Sequence, residues 1–187
     1  MSALLLEPHN DDAVLFAFFT VMREHPRVLT CLRSYRMGER GYPAPRVDYN
    51  TRERESAAAM AIANVEWLQL QVPDTMPDEH LRDGLAPTLM TLTPKPTHVY
   101  APAPHEDGNV QHNIVGEAAL EAFLDVPVTL YCTYVNGRER MVGSQEVEFD
   151  PDWARYKLLA LACFASQIRH PSISHHFTDH GLREWYA

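Results

Sequence analysis

The chain contains 187 residues, of which 45% are hydrophobic, so it can bury one full core but is too short for two. Its formal net charge of -9 argues against DNA or RNA as a partner, because nucleic-acid binding relies on clustered Lys and Arg. The three cysteines are widely spaced and lack a C-x-x-C pair, so they indicate neither a disulfide framework nor a thiolate metal site. We therefore expect a single domain over residues 1–187 that acts on a small neutral or cationic molecule.

Nothing in the sequence indicates export or insertion into a membrane. No stretch approaches the roughly twenty apolar residues that span a bilayer. The segment Met1–Leu6 lacks the basic residues and the cleavage site of a signal peptide. Because the cysteines also suit a reducing compartment, we expect a cytoplasmic protein with no membrane partner.

The first part of the chain predicts a β-α-β unit. The apolar run Leu4–Leu6 indicates a buried strand that ends in a polar loop. Ala13–Met22 then predicts a buried helix with Asp11 or Asp12 as its N-cap, and Arg27–Leu32 predicts a second strand. This order is typical of a parallel α/β sheet.

The middle of the chain continues the alternation. Ser34–Asn50 is rich in Gly and Pro and predicts a long loop, of a length that often binds ligands or partners. Thr51–Asn64 predicts a helix from its strong helix formers, and Val65–Leu70 a short strand. His80–Leu92 predicts a further helix, and Thr97–Ala101 a fourth strand.

The last third predicts a helix over Asn113–Leu124 and a β-branched strand over Val126–Val135. An Asn-Gly turn then favours a hairpin with Arg140–Val147, and Trp153–Arg169 predicts a long final helix before a His-rich tail. Alternating strands and helices predict a Rossmann-like three-layer α/β/α sandwich with a mainly parallel sheet.

Two polar loops follow predicted strands and precede predicted helices. The first carries His9, Asp11 and Asp12, and the second, Pro102–Gln111, leads into His112. Because parallel strands end at one edge of the sheet, His9, Asp12 and His112 are predicted to converge. Two imidazoles and one carboxylate suit Zn²⁺, and also Fe²⁺, Co²⁺ or Ni²⁺, and leave positions open for water and substrate. With one carboxylate left over as a base, the pattern predicts a metal hydrolase.

These motifs resemble those of the zinc-dependent PIG-L/LmbE-like N-acetylglucosaminyl deacetylases. The family's first motif, A-H-P-D-D-E, is matched by Pro8–Ala13, and its second, H-x-D-H, by Asn109–His112. Arg52–Glu55 is similar to the start of the family's alanine-rich helix. Ser166–Gln167 and Glu184–Trp185 are similar to its C-terminal helix and end, so the resemblance covers nearly the whole chain.

The resemblance implies roles for individual residues. His9, Asp12 and His112 are implied to bind zinc, with Asp11 as the general base and Arg52 holding the substrate. The implied reaction is removal of an N-acyl group, in the first place N-acetyl, from an amino sugar or sugar conjugate.

The sequence also departs from the family pattern. Asn10 and Ala13 replace a Pro and a Glu, while Asn109 and Gln111 replace the His and Asp that orient the ligand and assist the leaving group in many members. His105 and Asp107, a few residues upstream, are the candidate substitutes for that pair, and His105 is the candidate for binding substrate and for protonating the leaving amine. The other source of that proton is the general base, which can return the one it took.

Alternative functions stay open at this point. One is a zinc amidase that acts on a non-sugar amide, and another is a non-catalytic sugar-binding pseudoenzyme of the same fold. The altered second motif permits the pseudoenzyme, whereas the intact Asp11 favours catalysis. The sequence also allows a homo-oligomer in which a partner chain completes the pocket, with Ser34–Asn50 as the candidate contact. By itself, Arg52 is equally typical of a solvated, charged helix face.

Overall fold

The computed structural model describes residues 3–33, 49–135, 139–168 and 182–187. Its centre is a seven-stranded sheet in the order β3-β2-β1-β4-β5-β9-β8, and β6 and β7 form a separate two-stranded hairpin. The strands are β1 Leu4–Glu7, β2 Arg27–Thr30, β3 Trp67–Gln69, β4 Val99–Pro102, β5 Val128–Tyr131, β6 Tyr134–Val135, β7 Glu139–Arg140, β8 Gln145–Glu146 and β9 Trp185–Tyr186.

Helices cover both faces of this sheet. They are α1 Asp12–Phe16, α2 Phe18–Glu24, α3 Tyr49–Ala63, α4 Asp78–Met90, α5 Val110–Ala122, α6 Pro151–Ala162 and α7 Ala165–Ile168. The side chain of Leu5 packs with α1, α2, α3 and α6, while Leu4 and Leu6 pack with α4 and α5 on the other face. Strand β1 is apolar on both faces because both are covered by helices.

The five strands β1 to β5 pair in parallel, and β8 and β9 complete the sheet in antiparallel pairing. Leu5 stands opposite Val28 of β2 and Tyr100 of β4, which places β1 in the middle of the five parallel strands. The loops that follow β1 and β4 therefore leave the same edge of the sheet. This confirms the predicted Rossmann-like three-layer α/β/α sandwich with a mainly parallel sheet.

The predicted continuous helix Ala13–Met22 is wrong. The structure divides it into α1 and α2, with a break at Ala17, whose φ of -141° is not helical.

A buried ion pair explains this break. In a continuous helix the Phe19 N–H would donate to the Leu15 carbonyl. Here the Phe19 N–H donates instead to the Glu184 carboxylate at 3.0 and 3.1 Å, and Lys157 Nζ donates to the Leu15 carbonyl at 3.2 Å. Lys157 and Glu184 pair with each other at 2.6 Å, so two distant side chains replace one helical hydrogen bond.

The predicted strand Val126–Val135 is wrong in extent, because it ends at Tyr131 and resumes as β6. The Cys132 N–H donates to the Trp185 carbonyl, so β9, which the sequence placed in the tail, lies against the end of β5. The predicted hairpin partner Arg140–Val147 is only partly correct: β7 pairs with β6, but β8 pairs with β9. The Asn-Gly turn lies outside the described residues.

The predicted helix Trp153–Arg169 is also divided. It ends at Ala162, where Phe164 turns into the core, and the short helix α7 follows. Most of the predicted loop Ser34–Asn50 and most of the His-rich tail lie outside the described residues. The remaining predicted helices and strands are present with boundaries shifted by one to three residues. None of the described helices has the length and apolar character needed to span a membrane.

Candidate metal centre

Three side chains from separate elements meet at the carboxyl edge of the sheet. His9 lies in the loop after β1, Asp12 is the first residue of α1, and His112 lies in the first turn of α5. One potential ligand atom from each, two imidazole nitrogens and a carboxylate oxygen, lie within 4.8 Å of one another. The structure thus brings together the three residues that the sequence predicts as metal ligands.

The carboxylate of Asp12 is the centre of this cluster. Its Oδ2 accepts a hydrogen bond from the His9 N–H at 2.8 Å and lies 3.3 Å from His9 Nδ1 and 3.2 Å from His112 Nε2. Burial favours the neutral acid, but the two imidazoles outweigh it and hold the pKa of Asp12 well below its usual range. Burial lowers the pKa of His9, but the hydrogen bond and charge of Asp12, with smaller contributions from Gln111 and Asp11, together outweigh burial and raise that pKa to about 9.

The buried imidazole of His112 supports a metal at this position. It is 1% exposed, and among the described residues neither ring nitrogen has a partner that meets hydrogen-bond geometry; Nε2 has the contact with Asp12 Oδ2 at 3.2 Å. Buried polar atoms are nearly always satisfied, because an unsatisfied one costs about 1–3 kcal/mol. A cation between His9, Asp12 and His112 would satisfy Nε2, the nitrogen of this ring that faces Asp12, and two nitrogens with one carboxylate oxygen are typical zinc ligands. The residues present therefore fit a divalent metal.

Gln111 fixes the orientation of His9. Its amide Nε2 donates to the backbone carbonyl of Asp74 at 2.6 Å, so its Oε1 faces His9 Nε2, 2.8 Å away. Because this oxygen can only accept, His9 Nε2 carries the proton, and Nδ1 is the nitrogen turned toward Asp12. Gln111, a departure from the family motif, thus orients a candidate ligand as outer residues of metal sites commonly do.

Asn109, the other departure, also lies next to the cluster. Its side-chain oxygen accepts from the Gln111 N–H at 2.9 Å and caps α5. Its Nδ2 donates to the Tyr134 hydroxyl at 2.9 Å, and the Tyr134 ring lies edge-on to His112 with centroids 5.1 Å apart. Sequence reasoning missed Tyr134, since no motif or spacing marks it.

The predicted base is paired with the predicted substrate-binding residue. Arg52 Nη2 lies 3.1 Å from Asp11 Oδ1, and both side chains are almost fully buried. Burial raises the pKa of Asp11, and the guanidinium of Arg52 opposes that rise. Arg52 therefore pairs with Asp11 in the structure, and both the role of Asp11 as base and the contact of Arg52 with a substrate remain predictions.

Glu7 is a further site residue that the sequence reasoning missed. Its carboxylate accepts from the Thr30 hydroxyl, from Trp67 Nε1 at 3.3 Å and from the Ala13 N–H at 2.9 Å. Burial raises the pKa of Glu7 to about 8 despite these bonds. The contacts tie β2 and β3 to the start of α1, immediately after Asp12. The sequence did offer a signal for Glu7, which is an acidic residue at the end of an otherwise apolar strand.

His105 makes its described hydrogen bonds to its own loop and to helix α5. Its N–H donates to Asn113 Oδ1 at 3.0 Å, and its Nδ1 accepts from the Asp107 N–H at 3.2 Å. None of the hydrogen bonds and ion pairs among the described residues joins His105 to His9, Asp12 or His112. Its predicted roles in binding substrate and donating a proton therefore gain no support from this geometry.

Comparison with known proteins assigns the family. Residues 4–123, which include both loops, match the PIG-L family model, described as GlcNAc-PI de-N-acetylase. The chain belongs to the PIG-L family. No curated protein matched the sequence.

Solved structures of PIG-L/LmbE deacetylases share the fold of this PIG-L chain. A deacetylase from the teicoplanin pathway, in complex with teicoplanin, is 19% identical with a TM-score of 0.74, and the match covers 100% of this chain and 98% of that one. A zinc-inhibited form of teicoplanin deacetylase is 19% identical with a TM-score of 0.72, covering 90% and 85%.

Two further structures show how widely the fold is used. The N,N'-diacetylchitobiose deacetylase from Pyrococcus horikoshii is 19% identical with a TM-score of 0.64, covering 89% of this chain and 70% of that one. The 4-carboxy-2-hydroxymuconate hydratase from Pseudomonas putida is 17% identical with a TM-score of 0.66, covering 95% and 83%. At these identities the similarity establishes the fold alone.

Proposed function

We propose that this PIG-L family chain is a metal-dependent N-deacetylase that hydrolyses the N-acetyl group of an amino sugar or sugar conjugate. One observation carries the proposal: a buried His9-Asp12-His112 cluster with the paired carboxylate of Asp11 directly beside it. These are the parts that hydrolysis of an amide requires, namely ligands for a Lewis acid and a base next to them.

His9, Asp12 and His112 would hold the metal, with zinc as the first candidate and Fe²⁺ as the alternative. When bound, such a metal polarises an amide carbonyl and lowers the pKa of water. Because one teicoplanin deacetylase was solved in a zinc-inhibited form, the metal should be tested at stoichiometric amounts and in excess.

The chain's own residues would move the protons. Asp11 accepts a proton from the attacking water, and Arg52, at 3.1 Å from Oδ1, keeps that carboxylate oriented, so we assign the proton to Oδ2. The water oxygen bonds to the carbonyl carbon, and the C–N bond breaks as its nitrogen takes the proton from Asp11. The second proton of the water is lost from the acid product, so the products are a carboxylate and a protonated amine. Asp11 is assigned as the proton donor because none of the hydrogen bonds of the described residues joins His105 to the cluster.

The sugar-type substrate is supported by the family and by the fold. The family model is described as GlcNAc-PI de-N-acetylase, and the structural neighbours include a deacetylase of the teicoplanin pathway in complex with teicoplanin and an N,N'-diacetylchitobiose deacetylase. We therefore propose an N-acylated amino sugar rather than a peptide as the substrate.

The test combines metal analysis with an amine-release assay. Wild type and the His9→Ala and His112→Ala variants are measured for bound metal and for amine release from N-acetylated sugars and non-sugar amides. His98→Ala is the control, because His98 is a partly buried histidine that bonds Thr129 and precedes β4, at the opposite edge of the sheet.

Stoichiometric metal that only the two ligand variants lose, with amine release from a sugar, would support the proposal. Release only from non-sugar amides would replace it with the amidase. Metal and sugar binding without turnover would indicate the pseudoenzyme.

A further inference from the structure

We propose that Ser166 and Gln167 position the base Asp11 indirectly, by keeping the Arg52 guanidinium on Asp11 and away from the neighbouring carboxylate of Glu55. The proposal rests on the proposed function, in which Asp11 is the general base. It assigns a role to the C-terminal turn around α7, which contributes no candidate ligand.

The guanidinium of Arg52 contacts two partners, one with each terminal nitrogen. Its Nη2 lies 3.1 Å from Asp11 Oδ1, and its Nη1 donates to Gln167 Oε1 at 3.0 Å. Gln167 lies on α7, is fully buried, and is neutral. It therefore satisfies one N–H without offering a second negative charge, and within the described part of the chain Asp11 is the ionic partner of Arg52.

A competing carboxylate lies one helical turn away. Glu55 follows Arg52 by three residues on α3, a spacing at which Arg and Glu side chains often pair. Glu55 is 9% exposed, so its charge also needs a partner. Without another partner, its carboxylate would attract the guanidinium away from Asp11.

Ser166 occupies that carboxylate. Its N–H donates to Glu55 Oε1 at 2.8 Å, and its hydroxyl donates to Glu55 Oε2 at 2.6 Å. Both oxygens are thus bound by neutral donors from α7. Contacts from Ser166 and Gln167, more than a hundred positions later, thus take the place of the Arg52–Glu55 pair that the i, i+3 spacing favours.

The same hydroxyl also orients Gln167. Ser166 Oγ accepts from Gln167 Nε2 at 2.9 Å, which turns Gln167 Oε1 toward Arg52. One hydroxyl that donates once and accepts once satisfies both neighbours. Removal of this hydroxyl should leave Glu55 Oε2 without its donor and the Gln167 amide without the acceptor that orients it.

The first test measures the Asp11–Arg52 interaction directly, in metal-free protein and without substrate. A double-mutant cycle with Asp11→Asn and Arg52→Gln, followed by urea unfolding, gives the coupling between the two side chains. The cycle is repeated in the Ser166→Ala and Ser166→Ala/Glu55→Gln backgrounds. We expect the coupling to fall at least twofold in Ser166→Ala and to recover when Glu55 is neutralised.

The second test measures catalysis on the substrate found by the amine-release panel. Ser166→Ala should lower kcat about tenfold, less than the roughly 10²–10⁴-fold that a general base supplies because Asp11 itself is retained, and leave KM and bound metal unchanged. Glu55→Gln in the same chain should restore most of the rate. A stability role alone would give no such rescue. Ser144→Ala, at an exposed serine, is the matched control.

Gln167→Glu provides a variant of nearly unchanged shape should Ser166→Ala fail to fold. It adds a negative charge opposite Arg52 Nη1 and should likewise weaken the Asp11–Arg52 coupling. Equal coupling in wild type, Ser166→Ala and Gln167→Glu would overturn the proposal, as would a loss that Glu55→Gln does not restore. Because the coupling needs neither metal nor substrate, a wrong assignment of the reaction leaves this result intact.

Discussion

Gln111 Oε1 lies 2.8 Å from His9 Nε2, although the two residues are 102 positions apart in the chain. The amide cannot turn round, since its nitrogen donates to the Asp74 carbonyl. The family motif has Asp at this position, and the neutral amide retains the acceptor that a ligating imidazole needs. The departure at position 111 is therefore compatible with a working metal centre.

Replacement of Gln111 by Leu should weaken metal binding. Without the acceptor, His9 is free to change tautomer and ring orientation, and loss of such a contact typically costs about 10–100-fold in metal affinity. Titration of metal-free protein with Co²⁺ or Zn²⁺ measures this directly. Gln145→Leu, at an exposed position on β8, should bind metal like wild type. Equal affinity for Gln111→Leu and wild type would show that His9 is oriented by other contacts.

Substitutions of Asp11 and His112 should distinguish the role of general base from the role of metal ligand. Asp11→Asn removes the proton acceptor but no ligand, so it should retain metal and lose about 10²-fold or more of kcat. His112→Ala should lose both metal and activity, because it removes one of the three candidate ligands. Metal analysis and amine release on the same samples distinguish the two. A fully active Asp11→Asn variant would exclude Asp11 as the base.

Sequence reasoning could place His9 and His112 together because both follow strands of a parallel sheet, and the edge at which such strands end is fixed by topology. It could not place Gln111 against His9 or Ser166 against Glu55. Those contacts depend on how α5 and α7 pack, which no local pattern encodes. The motif comparison even presented Gln111 as a loss, because it compares residue types and not hydrogen-bonding capacity.

The errors in the predicted elements have the same origin. The apolar run after Asp12 has the composition of one helix, and only the pair formed by Lys157 and Glu184 shows why it breaks. Strand β9 is only two residues long and lies in a polar tail, so although Trp and Tyr favour strands, no period marks it, and its pairing with Tyr131 is a tertiary effect.

The cysteines should differ in reactivity in the order of their exposure. Cys31 and Cys132 are buried, and Cys163 is partly exposed. Burial, with a smaller contribution from Glu7, raises the pKa of Cys31 well above its usual value, and burial also raises the pKa of Cys163, so even the accessible thiol should react slowly at neutral pH. Labelling with a thiol reagent should modify one site in native protein and three after denaturation. Rapid native labelling of Cys31 would contradict the packing around β2.

Among the described ion pairs, that of Lys157 and Glu184 should show the largest loss of unfolding free energy when one partner is replaced. Both side chains are fully buried, so Lys157→Met leaves an uncompensated carboxylate in the core and should cost about 3–5 kcal/mol of unfolding free energy. The double variant Lys157→Met/Glu184→Leu should lose less, because neither charge then remains buried.

Arg183 and Glu146 form the matched control for this prediction, as they pair on the surface, where solvent screens the interaction. Arg183→Gln should leave the urea midpoint unchanged, while Lys157→Met shifts it strongly. If the two substitutions had equal effects, the break at Ala17 would need a cause other than the ion pair. A large loss of unfolding free energy in Lys157→Met that is partly recovered in the double variant would show that the buried charges of Lys157 and Glu184 depend on each other. The pair would then be an ionic link between the C-terminal strand and the α1–α2 junction. That junction starts only a few residues beyond Asp12, so the same variants should be measured for metal affinity, which we expect to fall with stability in Lys157→Met and to recover with it.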